Sequence, residues 1–128
     1  MTSELMSLTW VVALQMIMWV PYILNLIAVR GLINAVGYPE DALPLAAWAA
    51  RMKAAHYNGV ENLVVFAALV LIANAAGISN ETTVLACEIY FWARLAHLLL
   101  YTFAVPWGRT LAFAVAWMCQ VAILLQII

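Results

Sequence analysis

The sequence predicts an all-α integral membrane protein in which four hydrophobic segments form a bundle of four transmembrane helices. Composition is the first reason. Of 128 residues, 69% are hydrophobic and only 9% are charged, against roughly 25% charged in a soluble domain. A single domain of this length has too much surface to hide so many apolar side chains from water, whereas lipid removes the conflict. The second reason is distribution. The apolar residues fall into four stretches of about 20 residues or more, separated by turn chemistry, and a backbone crossing lipid must satisfy its own hydrogen bonds as a helix.

The first span is expected over residues 5–33, because no charge falls between Glu4 and Arg30. Pro21 lies inside it and predicts a local kink. The opening residues carry Glu4 and no Lys or Arg, and no small-residue cleavage site follows, so this span is expected to be retained rather than removed as a signal peptide. Gly37 to Pro44 reads as a loop by its glycine, prolines and acids. The second span is expected over 45–76 and ends in the Gly77–Asn80 turn. Ser79 or Asn80 then caps a third span over 81–104, with Glu81 near the positive end of its dipole. Pro106 separates it from a fourth span over 107–127. Together the four make one domain over residues 1–128.

The five basic residues set the expected orientation. The ends that flank the first and third connections collect Arg30, Arg51, Lys53 and Arg109, while the opposite ends carry Glu4 and Glu81. Basic residues concentrate on the cytoplasmic side, so both termini are expected outside. The short loops suit a bacterial inner membrane. The net charge of −1 gives no basis for a nucleic-acid partner. Cys87 and Cys119, each in an apolar setting, are expected to be buried free thiols.

Charged groups at membrane depth cost about 2.5–3.5 kcal/mol each on insertion scales, so they point to a partner or a site. In the second span Arg51, Asn58, Glu61 and Asn62 recur at helical spacing, and the band from Arg51 to Glu61 covers about 15 Å of rise. In the third, Tyr90, Arg94, His97 and Tyr101 are spaced to share a face. One reading is structural: Glu61 and Arg94 form a buried interhelical ion pair. That leaves Arg30, Arg51, Arg94 and Arg109 with too few carboxylates nearby, and surplus cations invite an anionic ligand. Arg109 follows Pro106-Trp107-Gly108 at the start of the fourth span, where free backbone N–H groups also favour an anion; alternatively it snorkels to the interface. Tyr101 is either an interfacial tyrosine or a partner of Arg94 and His97. His56 stands off the Arg51–Asn58 line and is read as a packing or supporting residue. Gln15, Asn25, Asn74 and Gln120 are expected to hydrogen-bond between helices. No metal-ligand spacing, glycine-rich phosphate loop or serine–histidine–acid arrangement is present.

Two of these segments carry a family resemblance. Arg51 to Asn62, reading RMKAAHYNGVEN, resembles the second-helix signature R-x-x-R-A-[HQ]-x-N-x-x-E of the MAPEG family, the membrane-associated proteins of eicosanoid and glutathione metabolism. Tyr90 to Tyr101, YFWARLAHLLLY, followed by VPWGRT over Val105–Thr110, resembles the family's third-helix pattern and the arginine that opens its fourth helix. Span number and length agree across essentially the whole chain. The resemblance implies a homotrimer of four-helix subunits, with glutathione as co-substrate, and no metal, bound between neighbours in the cytoplasmic half of the membrane. By the same resemblance Arg30, Arg51, Asn58, Glu61, His97 and Tyr101 bind glutathione. Arg109 holds its sulfur as thiolate, with Tyr101 the weaker candidate for that role, and Arg94 is structural. The implied activity is that of a transferase or peroxidase acting on a lipophilic small molecule from the bilayer.

One position departs from the pattern. Ala54 stands where the signature has its second arginine, and Lys53 is about 100° around the helix from it. This keeps open a non-catalytic member that binds thiol or lipid. A small transporter with a single intramembrane carboxylate, Glu61, is the third reading, although the arginines around Glu61 disfavour a cation path.

Overall fold

The computed structural model describes residues 1–128 and consists of helices and their connections. The first span is two helices rather than one, α1 (Ser3–Ile17) and α2 (Trp19–Arg30), joined through Met18. Pro21 supplies no N–H to the carbonyl of Ile17 four residues back, and its ring crowds that carbonyl, so the ladder breaks one turn before the proline. Thr2 caps α1 by accepting the Leu5 N–H at 3.2 Å. The expected end at Ile33 is corrected: α2 stops at Arg30 because Gly31 takes φ +79°, a left-handed conformation that glycine alone adopts without cost. A five-residue helix, α3 (Leu32–Val36), follows.

Residues 37–46 carry no helix, and α4 then runs over Ala47–Ala75. Its first free amide neighbourhood is served from across the bundle, where the Asn25 side-chain oxygen accepts the Ala46 N–H at 3.0 Å. With 29 residues, α4 is about 43 Å long, more than a hydrocarbon core requires. It ends in a Schellman turn: Gly77 at φ +71° lets its own N–H reach the carbonyl of Asn74, and the Ile78 N–H reach that of Ala73. α5 (Glu81–Thr102) opens with a capping box, as Asn80 Oδ1 accepts the Thr83 N–H while Thr83 Oγ1 accepts the Asn80 N–H. α6 (Gly108–Ile127) completes the chain.

Side-chain contacts fix the antiparallel order. Glu4 meets Thr83 and Asn80 bonds Gln126 at one end, whereas Arg51 bonds the Thr102 carbonyl at the other. Both termini therefore lie at one end, with the 37–46 loop and the 103–107 turn at the opposite end. The four spans are long and apolar enough to cross a membrane.

Small residues let the helices approach closely, as dispersion-driven packing in lipid requires: Ala86, Cys87 and Ala93 on α5 and Ala112, Ala116 and Cys119 on α6 are all buried, and α5 and α6 form the most extensive pair. Both cysteines are free. Phe66 of α4 stacks on Tyr90 of α5 with centroids 3.7 Å apart at the centre of the core, so Tyr90 is a packing residue rather than part of a polar site. Gly59 has a comparable role. A Cβ there would fall 2.5 Å from the Gln15 amide, so a larger residue would make that side chain shift from its present seat against α4.

Candidate functional site

The arginine-rich end of the bundle is shaped by the turn between α5 and α6. Two non-glycine residues of this turn, Ala104 and Trp107, adopt left-handed φ values of +55° and +66°, a strain that surrounding structure must hold in place. The turn folds α6 back onto α5 so closely that a Cβ at Gly108 would lie 3.0 Å from the Leu100 Cβ. That close approach sets the next residue, Arg109, over the ring of Tyr101, with the guanidinium carbon 4.3 Å from the ring centroid. A cation over a tyrosine face is attracted by the ring quadrupole.

Arg51 reaches the same place from the start of α4. Its Nε donates to the Thr102 carbonyl at 2.9 Å, one of the carbonyls that the end of α5 leaves unpaired. Arg51, Tyr101 and Arg109 thus line one cavity of about 360 Å³, together with Leu100, Trp107 and Thr110, and no carboxylate lines it. Arg109 is exposed and Tyr101 is half-buried, so the guanidinium and the phenol are both accessible.

The other sequence-predicted residues distribute as follows. Arg94 is buried and donates from Nη2 to Asn58 Oδ1 at 2.8 Å; its Nε and Nη1 have no partner. This corrects the expected Glu61–Arg94 ion pair: the amide of Asn58 takes the contact, and Glu61, three residues on, is turned to the exposed side of α4. Asn58 keeps its Nδ2 free of these bonds. His97 is buried with its ring edge toward Tyr101, centroids 5.7 Å apart, so within the subunit it reaches the cavity through Tyr101 and not by direct contact. Arg30 does not line the cavity; its Nε donates to the Leu43 carbonyl at 2.6 Å. His56 Nδ1 and the Tyr22 hydroxyl share a hydrogen bond of 2.7 Å that ties α2 to α4, in keeping with a supporting residue. Lys53 lies 5.7 Å from the ring centre of Tyr57, and Ala54 is exposed.

The electrostatic consequence is plain. Arg30, Arg51 and Arg94 are met by uncharged oxygens, and Arg109 by a ring. Their charge is oriented but not neutralised, which suits an anion. Sequence reasoning singled out the arginines but missed the fixtures that aim them: the Thr102 carbonyl, the left-handed Ala104 and Trp107, and Gly108. Of these only Gly108, two residues after Pro106 and directly before Arg109, left a trace in the residue pattern.

No curated protein and no solved structure matches the chain. The model of the MAPEG family matches residues 7–128. With four membrane-spanning helices and a match over nearly its whole length, this chain is an integral membrane protein that belongs to the MAPEG family.

Proposed function

We propose that this protein is a glutathione-dependent transferase or peroxidase that activates the thiol for attack on a lipophilic electrophile or hydroperoxide. The observation that carries the reading is the cavity where Arg51 and Arg109 converge on Tyr101 with no carboxylate in its wall.

A thiol of pKa about 8.5 is mostly protonated at neutral pH. A guanidinium and the N-terminal amides of α6 beside the sulfur favour the anion, and each pKa unit corresponds to about 1.4 kcal/mol of thiolate stabilisation. In conjugation the thiolate forms the S–C bond while the electrophile's leaving group or opened ring oxygen takes the electron pair. In peroxide reduction it attacks the distal oxygen, and an S–O bond forms as the O–O bond breaks to release an alkoxide that takes a proton from water. A second glutathione thiol then displaces water from the sulfenic acid to give the disulfide. Arg109 is the activating group and Tyr101 holds it in place and supplies a hydroxyl.

Glu61, exposed on α4, and the free Nδ2 of Asn58 would meet polar groups of glutathione contributed across a subunit boundary. The homotrimer with the tripeptide between neighbours rests on membership of the MAPEG family, and in it Arg30 and His97 would complete the site. The arginine-rich end is assigned to the cytoplasm of a bacterial inner membrane. A second reading, a non-catalytic member that binds thiol or lipid, is favoured by Ala54.

The test is an ultraviolet difference spectrum of detergent-purified protein titrated with glutathione near neutral pH. A saturable thiolate band, lost in Arg109→Ala without loss of assembly, is expected. No band, together with no heat of glutathione binding, would overturn the enzyme assignment.

A further inference from the structure

At the end of the bundle away from the arginines, a second polar cluster is built around Glu4. This side chain is only 4% exposed. Its Oε1 accepts from Ser79 Oγ at 2.8 Å and from Thr83 Oγ1, and a third hydroxyl, that of Thr2, lines the same cavity close to the carboxylate. Its Oε2 has no hydrogen-bond partner. Glu4, Ser79, Thr83 and Asn74 line a cavity of about 200 Å³ whose remaining wall includes Val70 and Ile123. None of the five basic residues lines it.

Burial disfavours a charge on Glu4, but the side chain sits in the first turn of α1 and touches the first turn of α5, two helix ends of positive polarity, and accepts from hydroxyls, all of which favour the carboxylate. A buried carboxylate oxygen with neither donor nor cation is nevertheless costly. Ala73, Asn74 and Gly77, from the end of α4 and the turn after it, line the same cavity; the Ala73 and Asn74 carbonyls are taken by the turn itself, so the Asn74 side-chain oxygen is what this end offers.

We infer that this cavity is a binding site for a monovalent metal cation of the sodium class, held by the Glu4 carboxylate, the Ser79 and Thr83 hydroxyl oxygens and the Asn74 side chain. The donors are hard oxygens, which select alkali and alkaline-earth ions over transition metals. A single carboxylate balances one positive charge, and no second carboxylate lines the cavity to balance another. The ion would brace α1, the 76–80 turn and α5 at one point, on the side remote from Arg109.

The test is thermal unfolding of the detergent-purified protein, followed by tryptophan fluorescence, in sodium chloride against choline chloride at equal ionic strength. A saturable rise in Tm with sodium is expected, roughly 3–5 °C at ten times the apparent Kd, and Glu4→Gln should abolish it. Equal Tm in both salts, or a Glu4→Gln variant that still responds to sodium, would overturn the site. An ammonium or ethanolamine response above that of sodium would overturn the metal assignment in favour of an amine. Should Glu4→Gln fail to fold, Ser79→Ala decides: at least a threefold loss of apparent sodium affinity supports the site and an unchanged affinity overturns it.

Discussion

Replacing Asn58 by leucine should expose how Arg94 is tolerated inside the bundle. Arg94 is 3% exposed, and its one side-chain partner is Asn58 Oδ1 at 2.8 Å. Two further nitrogens, Nε and Nη1, are already without partners. A hydrogen bond to a charged group contributes about 1.5–3 kcal/mol, so Asn58→Leu should lower the folded-to-unfolded ratio by roughly 10- to 150-fold. Leucine is close to asparagine in size, so the loss comes from the guanidinium left bare and not from a cavity. Two companions sharpen the test. Asn58→Asp supplies a carboxylate in the same place and should be as stable as the wild type or more so. Arg94→Met combined with Asn58→Leu replaces both partners by apolar groups and should recover most of the loss. The assay is unfolding by dodecyl sulfate in mixed micelles, followed by tryptophan fluorescence. If Asn58→Leu stays within about 0.5 kcal/mol of the wild type, or if the double variant loses the sum of the two single effects, the pairing does not hold the core as argued.

Two further outcomes bear on the cavity at Arg109. Gly108→Ala places a methyl 3.0 Å from Leu100 Cβ and pushes the start of α6 off α5; the thiolate band should weaken severalfold while far-ultraviolet circular dichroism is unchanged, and an unaltered band would show that the close approach does not aim Arg109. Tyr101→Phe keeps the ring face under the guanidinium, whereas Tyr101→Leu removes it and forfeits about 0.5–2 kcal/mol of cation–π attraction. Thiolate stabilisation, read from the pH dependence of the band, should therefore fall by roughly 2- to 30-fold in the leucine variant relative to the phenylalanine variant; equal loss in both would assign the role to the hydroxyl instead.

The membrane makes much of this fold legible from residues alone. A lipid-spanning backbone has one solution for its hydrogen bonds, so four apolar stretches gave four spans, and Gly77 and Asn80 mark real ends because each has a specific backbone task there. Rotation about the helix axis was harder to read. Asn58 and Glu61 are three residues apart, about 60° apart around the helix, and that difference decides which of them faces Arg94 and which faces outward. His97 was placed correctly on the Arg94 face, but that face is the buried one, so alignment with Arg94 meant burial and not access. Arg30 depended on the Leu43 carbonyl of the following loop, a partner its own helix pattern does not reveal. Glu4, read in sequence only as a marker of orientation, turned out to be buried, because the partners that bury it lie more than 70 residues away.

The division of the first span at Met18 gives the bundle two kinds of attachment. Above the break, α1 is wedged between α4 and α5 and pinned by Glu4; below it, α2 leans on α4, with no contact to α5 or α6. The two sides of the break are thus stitched differently: α1 by its Glu4 carboxylate to the start of α5, and α2 to α4 alone, through the Tyr22–His56 bond and the Asn25 bond to the Ala46 amide. The α2 end is the one that carries Arg51 and Arg109, so the side chains that hold α2 on α4 also set the wall nearest the arginines.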